Sequence, residues 1–250
     1  MSTNHSADHS ADHSAEQAER GPVAWSWRRE APLLAVVVAM FAASVVAWPF
    51  ADDQIPMHWN ASGEIDRYGG KAEGLFLLPA LALGIWALLA VIPRFDPGKQ
   101  NYASFGGAYL LTRIGTLAFF ALIHAGVLAV ALGAEFDVYL VFPLGVGLLF
   151  ILLGNVMPKF RPNYFAGIRT PWTLASAKSW TATHRLGGRL FMVGGVLFMA
   201  MSVIRVEWFV IALLGGLGLG ILALTAYSYR VWRDDPDRVP VGLVAPMPEE

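Results

Sequence analysis

The sequence predicts an all-α fold. The class is a polytopic membrane protein, a six-helix transmembrane bundle with a cytoplasmic interfacial helix between spans four and five. Three observations carry this. Of 250 residues, 56% are hydrophobic and 15% charged, against about 25% charged in an ordinary soluble domain. Six segments come close to the roughly 20 apolar residues that a helix needs to cross a hydrocarbon core. None of them alternates with period two, and a helix satisfies its backbone hydrogen bonds internally, so helices are the expected spanning element.

Residues 1–30 read as a disordered cytoplasmic tail. Asp8, Asp12, Glu16 and Glu19 make it mixed in charge, unlike the short basic start of a signal peptide. Its "NHSADHSADHSA" repeat places His5, His9 and His13 at i, i+4 spacing, read as a solvated tail with no metal site assigned. The six-span membrane domain covers residues 31–232. Its spans are Pro32–Phe50, Leu75–Ile92, Tyr109–Leu132, Val138–Leu153 (extendable to Val156), Leu190–Ile204 and Trp208–Tyr229, and none contains Asp or Glu. Trp25 and Trp27 precede the first span as interface anchors. Gly216 and Gly220 form a small-xxx-small pair, expected to pack inside the bundle, with a homodimer contact as the alternative. Residues 233–250 are proline-rich and polar, a second disordered cytoplasmic tail.

Orientation follows from the basic residues. With the N-terminus inside, 14 of the 18 Lys and Arg lie in inner segments and three in outer ones; Arg113, near the inner end of span three, is expected to snorkel. Both termini of this multi-pass chain are therefore expected in the cytoplasm. Residues 51–73 form an extracellular loop and residues 154–189 a cytoplasmic motif loop.

Several function classes drop away. With no cysteine there is no disulfide, thiol nucleophile or thiolate metal site. A net charge of −1 gives no reason to expect direct nucleic-acid binding. No HExxH, GxSxG or glycine-rich phosphate loop is present. His58, His124 and His184 fall outside, mid-membrane and inside, so they cannot share a metal. No enzyme activity, metal or cofactor is expected. His124, an ionisable group within span three, is an intramembrane candidate site; the alternative is a neutral histidine bonded to a backbone carbonyl.

Two loops carry the remaining chemistry. "IPMHWNASGEIDRYGGK" puts His58, Trp59 and Asn60 side by side, and "NASGE" reads as a turn at Gly63. With Asp66, Arg67, Tyr68 and Lys71 this is either a small recognition surface or an ordered cap at the interface. Asn60 also heads a glycosylation sequon, poorly placed in so tight a loop. "GNVMPKFRPNYFAGIRTPWTLASAKSWTATHRLGG" has no acid. Asn155 and Pro158 should end span four. Gly167 suits a turn. Thr170 is a candidate N-cap with Pro171 at the first helical position. A helix from about Trp172 to Leu186 would lie on the inner surface, with Trp172 and Trp180 toward lipid and Lys178 and Arg185 near headgroups. Gly187–Gly188 would then bend the chain into span five. Arg169 is expected to be pinned to helix-end carbonyls or a polar partner.

Both stretches resemble the SdpI family of bacterial membrane immunity proteins, which act against a secreted sporulation-delaying toxin. The outer motif resembles that family's outer loop closely. The inner one matches its cytoplasmic signature at Asn155, Met157-Pro158-Lys159, Pro162-Asn163, Gly167 through Leu174, Trp180 and Thr183-His184-Arg185. The resemblance covers about Pro32 to Trp232. The family often has acids before the second tryptophan, where this chain reads "ASAKSW".

The resemblance implies six spans and resistance to a secreted peptide toxin. It also implies that, when engaged, the protein holds a cytosolic transcriptional repressor at the membrane. On it, His58, Trp59, Asn60, Gly63, Asp66 and Lys71 are the outer sensing candidates. Asn155, Pro158, Lys159, Asn163, Gly167, Arg169, Thr170, Pro171, Trp172, Trp180, Thr183, His184 and Arg185 are the inner docking candidates. The partners are then the lipid bilayer, the toxin and the repressor. The alternatives are a small-solute or lipid transporter using His124, and a structural membrane protein.

Overall fold

The computed structural model describes residues 26–60, 62–135, 137–204 and 206–242, apart from the side chains of residues 138, 139 and 207. The histidine repeat lies outside the described residues, as do Ala61 of the sequon, Arg205 and residues 243–250. Seven helices and one hairpin follow in order. They are α1 (Trp27–Ala47), β1 (Gln54–Trp59), β2 (Ile65–Gly70), α2 (Lys71–Phe95), α3 (Tyr102–Ala131), α4 (Val138–Val156), the one-turn α5 (Pro171–Leu174), α6 (Ala177–Ala200) and α7 (Glu207–Arg233). Single 3-10 turns precede α3 (Lys99–Asn101) and follow α4 (Met157–Lys159).

α1, α2, α3 with its leading turn, α4 with its trailing turn, and α7 are each long and apolar enough to cross a membrane. The chain is thus a multi-pass, all-α membrane protein. α6, which carries the expected fifth span, is not among these five, because its first half holds Lys, Ser, Thr, His and Arg among its apolar residues.

The bundle has two packed parts. α1, α2 and α3 close around Leu33, Val37, Met40, Ala82 and Leu117. α4 and α6 run antiparallel at very short range. A Cβ at Gly154 would stand 2.5 Å from the Gly188 carbonyl, and one at Gly147 would stand 2.6 Å from that of Gly195. Only glycine permits this approach. An aromatic cluster of Tyr102, Phe105, Tyr109, Phe160 and Trp180 joins the two parts at the end that carries the motif loop.

Five expectations are corrected. First, the loop after α1 is a hairpin, a β element in an otherwise helical chain. Its antiparallel pairing sets Ile55 opposite Gly69 and His58 opposite Arg67, with two irregularities. Pro56 obscures the strand in the sequence, because proline is tolerated only at sheet edges and bulges; a two-stranded sheet has nothing but edges. Ile55 is fully buried among Ala47, Ala51, Leu75 and Ala131, which seats the hairpin on the helix ends.

Second, no interfacial helix runs from Trp172 to Leu186. The helix beginning at Pro171 stops at Leu174, and Ser176 caps a new one by accepting from the Ser179 N–H. α6 then continues through Gly187–Gly188 as helix, with Gly188 against Gly154 of α4 and Gly187 against Ile168 of the motif loop. Trp180 is buried rather than lipid-facing. Third, Arg113 does not snorkel: it is buried against Glu30 of α1, so that helix carries an acid. Fourth, a Cβ at Gly216 or Gly220 would meet nothing within 4 Å, so this pair does not pack inside the bundle. Fifth, the chain after 233 is anchored at first. Asp235 is buried, and the Val239 N–H donates to the Ala175 carbonyl at 2.9 Å.

Candidate functional site

At the motif end the loop between α4 and α6 is built around Asn163. Its amide donates to the Arg161 and Ala166 carbonyls at 2.9 and 3.0 Å. Its oxygen accepts from the Phe165 and Ala166 N–H groups. This one side chain therefore replaces the hydrogen bonds that an irregular buried loop would otherwise lack. Arg169 stays exposed and donates to the Tyr164 carbonyl.

His184 holds the other side of the loop. Its Nε2 accepts from the Ile168 N–H at 3.0 Å, and its Nδ1–H donates to the Trp180 carbonyl at 2.8 Å. Both bonds require the neutral Nδ1–H tautomer. Burial pushes the imidazole down to about 4, against the raising effect of the bond to the Trp180 carbonyl. Gly167 sits at φ +100°, and a Cβ there would collide with His184 Nε2. The Trp180 indole stacks on the imidazole at 4.1 Å and donates to the Phe160 carbonyl at 2.8 Å.

Thr170 caps α5 in a capping box with Thr173 and meets Ser228 of α7 at 3.0 Å. Pro171 follows as the first helical residue, as expected. Trp172 packs edge-on against Tyr229 of α7. Thr183 is buried with an unpartnered hydroxyl. Asn155, Pro158, Lys159 and Arg185 are exposed.

Four residues that the sequence reading passed over complete this end. Asp96, just past α2, accepts from the Gly98 N–H, the Tyr102 hydroxyl and the Tyr164 N–H. Ser176 donates to Asp235 at 2.5 Å, and Ser179 donates to the Ser228 carbonyl at 2.8 Å. "DPG" at Asp96 signals a turn. Nothing in the sequence signals a partner 68 residues away.

The hairpin end is more open. The Asn60 side chain is committed to the turn, accepting from the Ser62 and Glu64 N–H groups. Gly63 supplies a φ of 78°. His58 Nδ1 meets Asp66 at 2.6 Å across the strands, both side chains largely exposed. Lys71 pairs with Asp53 at 3.3 Å and lies over the Trp48 ring. Trp59 is half-buried. The hairpin thus brings His58 and Asp66 together, while Lys71 joins a different group.

Inside the bundle are two polar knots. Arg113 makes two bonds to Glu30 at 2.8 and 2.5 Å, and Trp86 donates to Glu30 at 3.1 Å. His124 Nε2 lies 3.2 Å from both the Met40 carbonyl and Ser44 Oγ, while its Nδ1 has no partner. The backbone-carbonyl alternative for His124 is therefore present in the geometry. Among the described residues, no three His, Asp or Glu side chains are grouped to hold a metal.

These features define a class: an α-helical, multi-pass membrane protein with an ordered hairpin at one end of its bundle and a hydrogen-bonded motif loop at the other. Within that class the comparisons bear out the resemblance to the SdpI family. Residues 159–228, from the motif loop through most of α7, match the model of the SdpI/YfhL protein family. Residues 35–83, which include the hairpin, match a domain of unknown function (DUF1648). The chain is 24% identical to Immunity protein SdpI of Bacillus subtilis (strain 168) over 198 residues, 79% of this chain and 93% of the relative. No solved structure matches.

Proposed function

We propose that the chain is an SdpI-like immunity and signalling protein of a bacterial inner membrane, with both termini and the motif loop cytoplasmic and the hairpin outside. The hairpin senses a secreted peptide toxin or a related envelope stress through His58, Trp59 and Asp66, with Asn60 and Gly63 shaping the turn. The motif loop, tied to α7 and the following segment, relays that event to a cytosolic repressor. The observation that carries this reading is the match to an immunity protein along most of both chains. The open face of the hairpin supports it, since its charged groups are largely exposed. No reaction is assigned.

Expression in a toxin-sensitive bacterium tests it. The chain should protect, and His58→Ala with Trp59→Ala should abolish protection at unchanged protein level. Full protection by that double variant would remove the hairpin from the mechanism. Orientation has its own check. A cysteine placed at the exposed Lys178 should resist an impermeant thiol reagent in intact cells, and ready labelling would invert the topology.

A further inference from the structure

α6 is the long helix that is not apolar along its length, and its outer face explains how it sits in a bilayer. Lys178, Arg185 and Arg189 are spaced by seven and four residues, which puts them on one stripe of the helix. All three are exposed, and among the described residues none takes a hydrogen bond or ion pair. The same side of the helix then turns apolar: Val193 and Val196 are more than half exposed. The change from basic to apolar takes about one turn.

The packing against α4 fixes the depth of that change. The contacts Gly154–Gly188 and Gly147–Gly195 share one antiparallel register. They set Arg189 level with Leu153 and Arg185 level with Met157. The apolar run of α4 ends at Gly154, ahead of the exposed Asn155, so Arg189 stands at the end of the neighbouring span and Arg185 about one turn beyond it. The two guanidinium-bearing positions are about 6 Å apart along the axis, close to the thickness of one headgroup layer, about 5–7 Å. Both exposed side chains therefore reach the headgroup layer, where phosphate oxygens can accept from them.

We propose that Arg185 and Arg189 form a clamp for the phosphate of an anionic phospholipid, which seats the short apolar half of α6 in the bilayer. Two adjacent cations, in a motif loop with no acid from Gly154 to Gly188, favour a headgroup of net negative charge over a zwitterionic one that carries its own cation. Lys178, about 10 Å farther out along the axis, lies beyond the headgroups and outside the clamp. The inference needs only a membrane-spanning chain, so its failure leaves the immunity reading standing.

The test uses the full-length chain purified from mixed phosphatidylglycerol and phosphatidylcholine, with retained lipids counted by native mass spectrometry. Phosphatidylglycerol should be retained in preference to phosphatidylcholine, by on the order of tenfold for two charges. Arg185→Gln with Arg189→Gln should remove the preference, Arg185→Lys with Arg189→Lys should keep most of it, and Lys178→Gln should leave it intact. These are surface residues, and a matched melting temperature for the Gln pair excludes misfolding. An unchanged preference in the Gln pair overturns the clamp. So does displacement of the lipid by equimolar glycerol phosphate, which would mark a site for soluble anions. If the Gln pair keeps its lipid but loses an acidic protein partner, the stripe is a protein-docking face and the clamp is also overturned.

Discussion

Trp180 and Trp59 occupy comparable places in their motifs, one at each end of the bundle, and the structure treats them differently. Trp180 is buried, stacked on His184 and bonded to the Phe160 carbonyl. Trp59 is half-buried on a hairpin whose neighbouring charges face out. The same contrast holds for the histidines. His184 has both ring nitrogens bonded to backbone, while His58 meets only an exposed carboxylate. At the motif end the distinctive residues build a rigid loop. At the hairpin end they remain available for recognition.

The largest expected effect breaks the motif end. Trp180→Ala should cost about 3–5 kcal/mol, the usual range for a buried aromatic. Trp59→Ala should cost much less, measured by thermal unfolding of both variants in detergent. Equal costs would erase the contrast.

Acid should act selectively on the same loop. His184 is neutral in the folded state with its pKa depressed to about 4, against about 6.5 when unfolded. Its contribution is therefore complete above pH 6.5 and is lost as pH falls toward 4. The loss amounts to about 3 kcal/mol. Melting temperatures followed from pH 7.5 to 4.5 should drop in the wild type, and His184→Gln should flatten that drop. An identical slope in the variant would move the acid sensitivity elsewhere.

Gly167→Ala comes next. The φ of +100° alone costs a β-carbon about 1–3 kcal/mol, and the collision with His184 Nε2 must be relieved as well. Hydrogen exchange at the Ile168 N–H gives the local readout, since its acceptor is displaced. Unaltered protection there would mean that the loop is held without His184.

How far this was readable in advance depends on the range of each interaction. Helix ends and caps are local, so the Thr170 cap, Pro171 and the turn at Gly167 follow from residues within four positions of each other. Hydropathy finds five of the spans with most ends close, but it starts the third at Tyr109 where α3 begins at Tyr102. What escapes is set by distant partners. Gly187–Gly188 reads as a bend because glycine is permissive, yet Gly188 faces Gly154, more than 30 positions away, and Gly187 faces Ile168 of the motif loop. Arg113 reads as snorkelling until α1 begins early enough to bring Glu30 against it. Trp180 reads as a lipid anchor because its acceptor, the Phe160 carbonyl, lies across a loop. The hairpin escaped for a local reason, the proline inside a short strand.

The smallest expected effect on stability sharpens the comparison most. The His58–Asp66 contact is short, 2.6 Å, but its side chains are 64% and 44% exposed. Exposed pairs of this kind contribute about 0–1 kcal/mol, because water competes for both partners. A double-mutant cycle of His58→Ala and Asp66→Asn should return a coupling within that range. A coupling above about 2 kcal/mol would make the pair structural and bring the two ends of the molecule into line. With a weak coupling, any loss of toxin protection in Asp66→Asn cannot be traced to unfolding. It would then report on the surface itself, because the turn is held separately by Asn60 and Gly63 and the hairpin is seated by the buried Ile55.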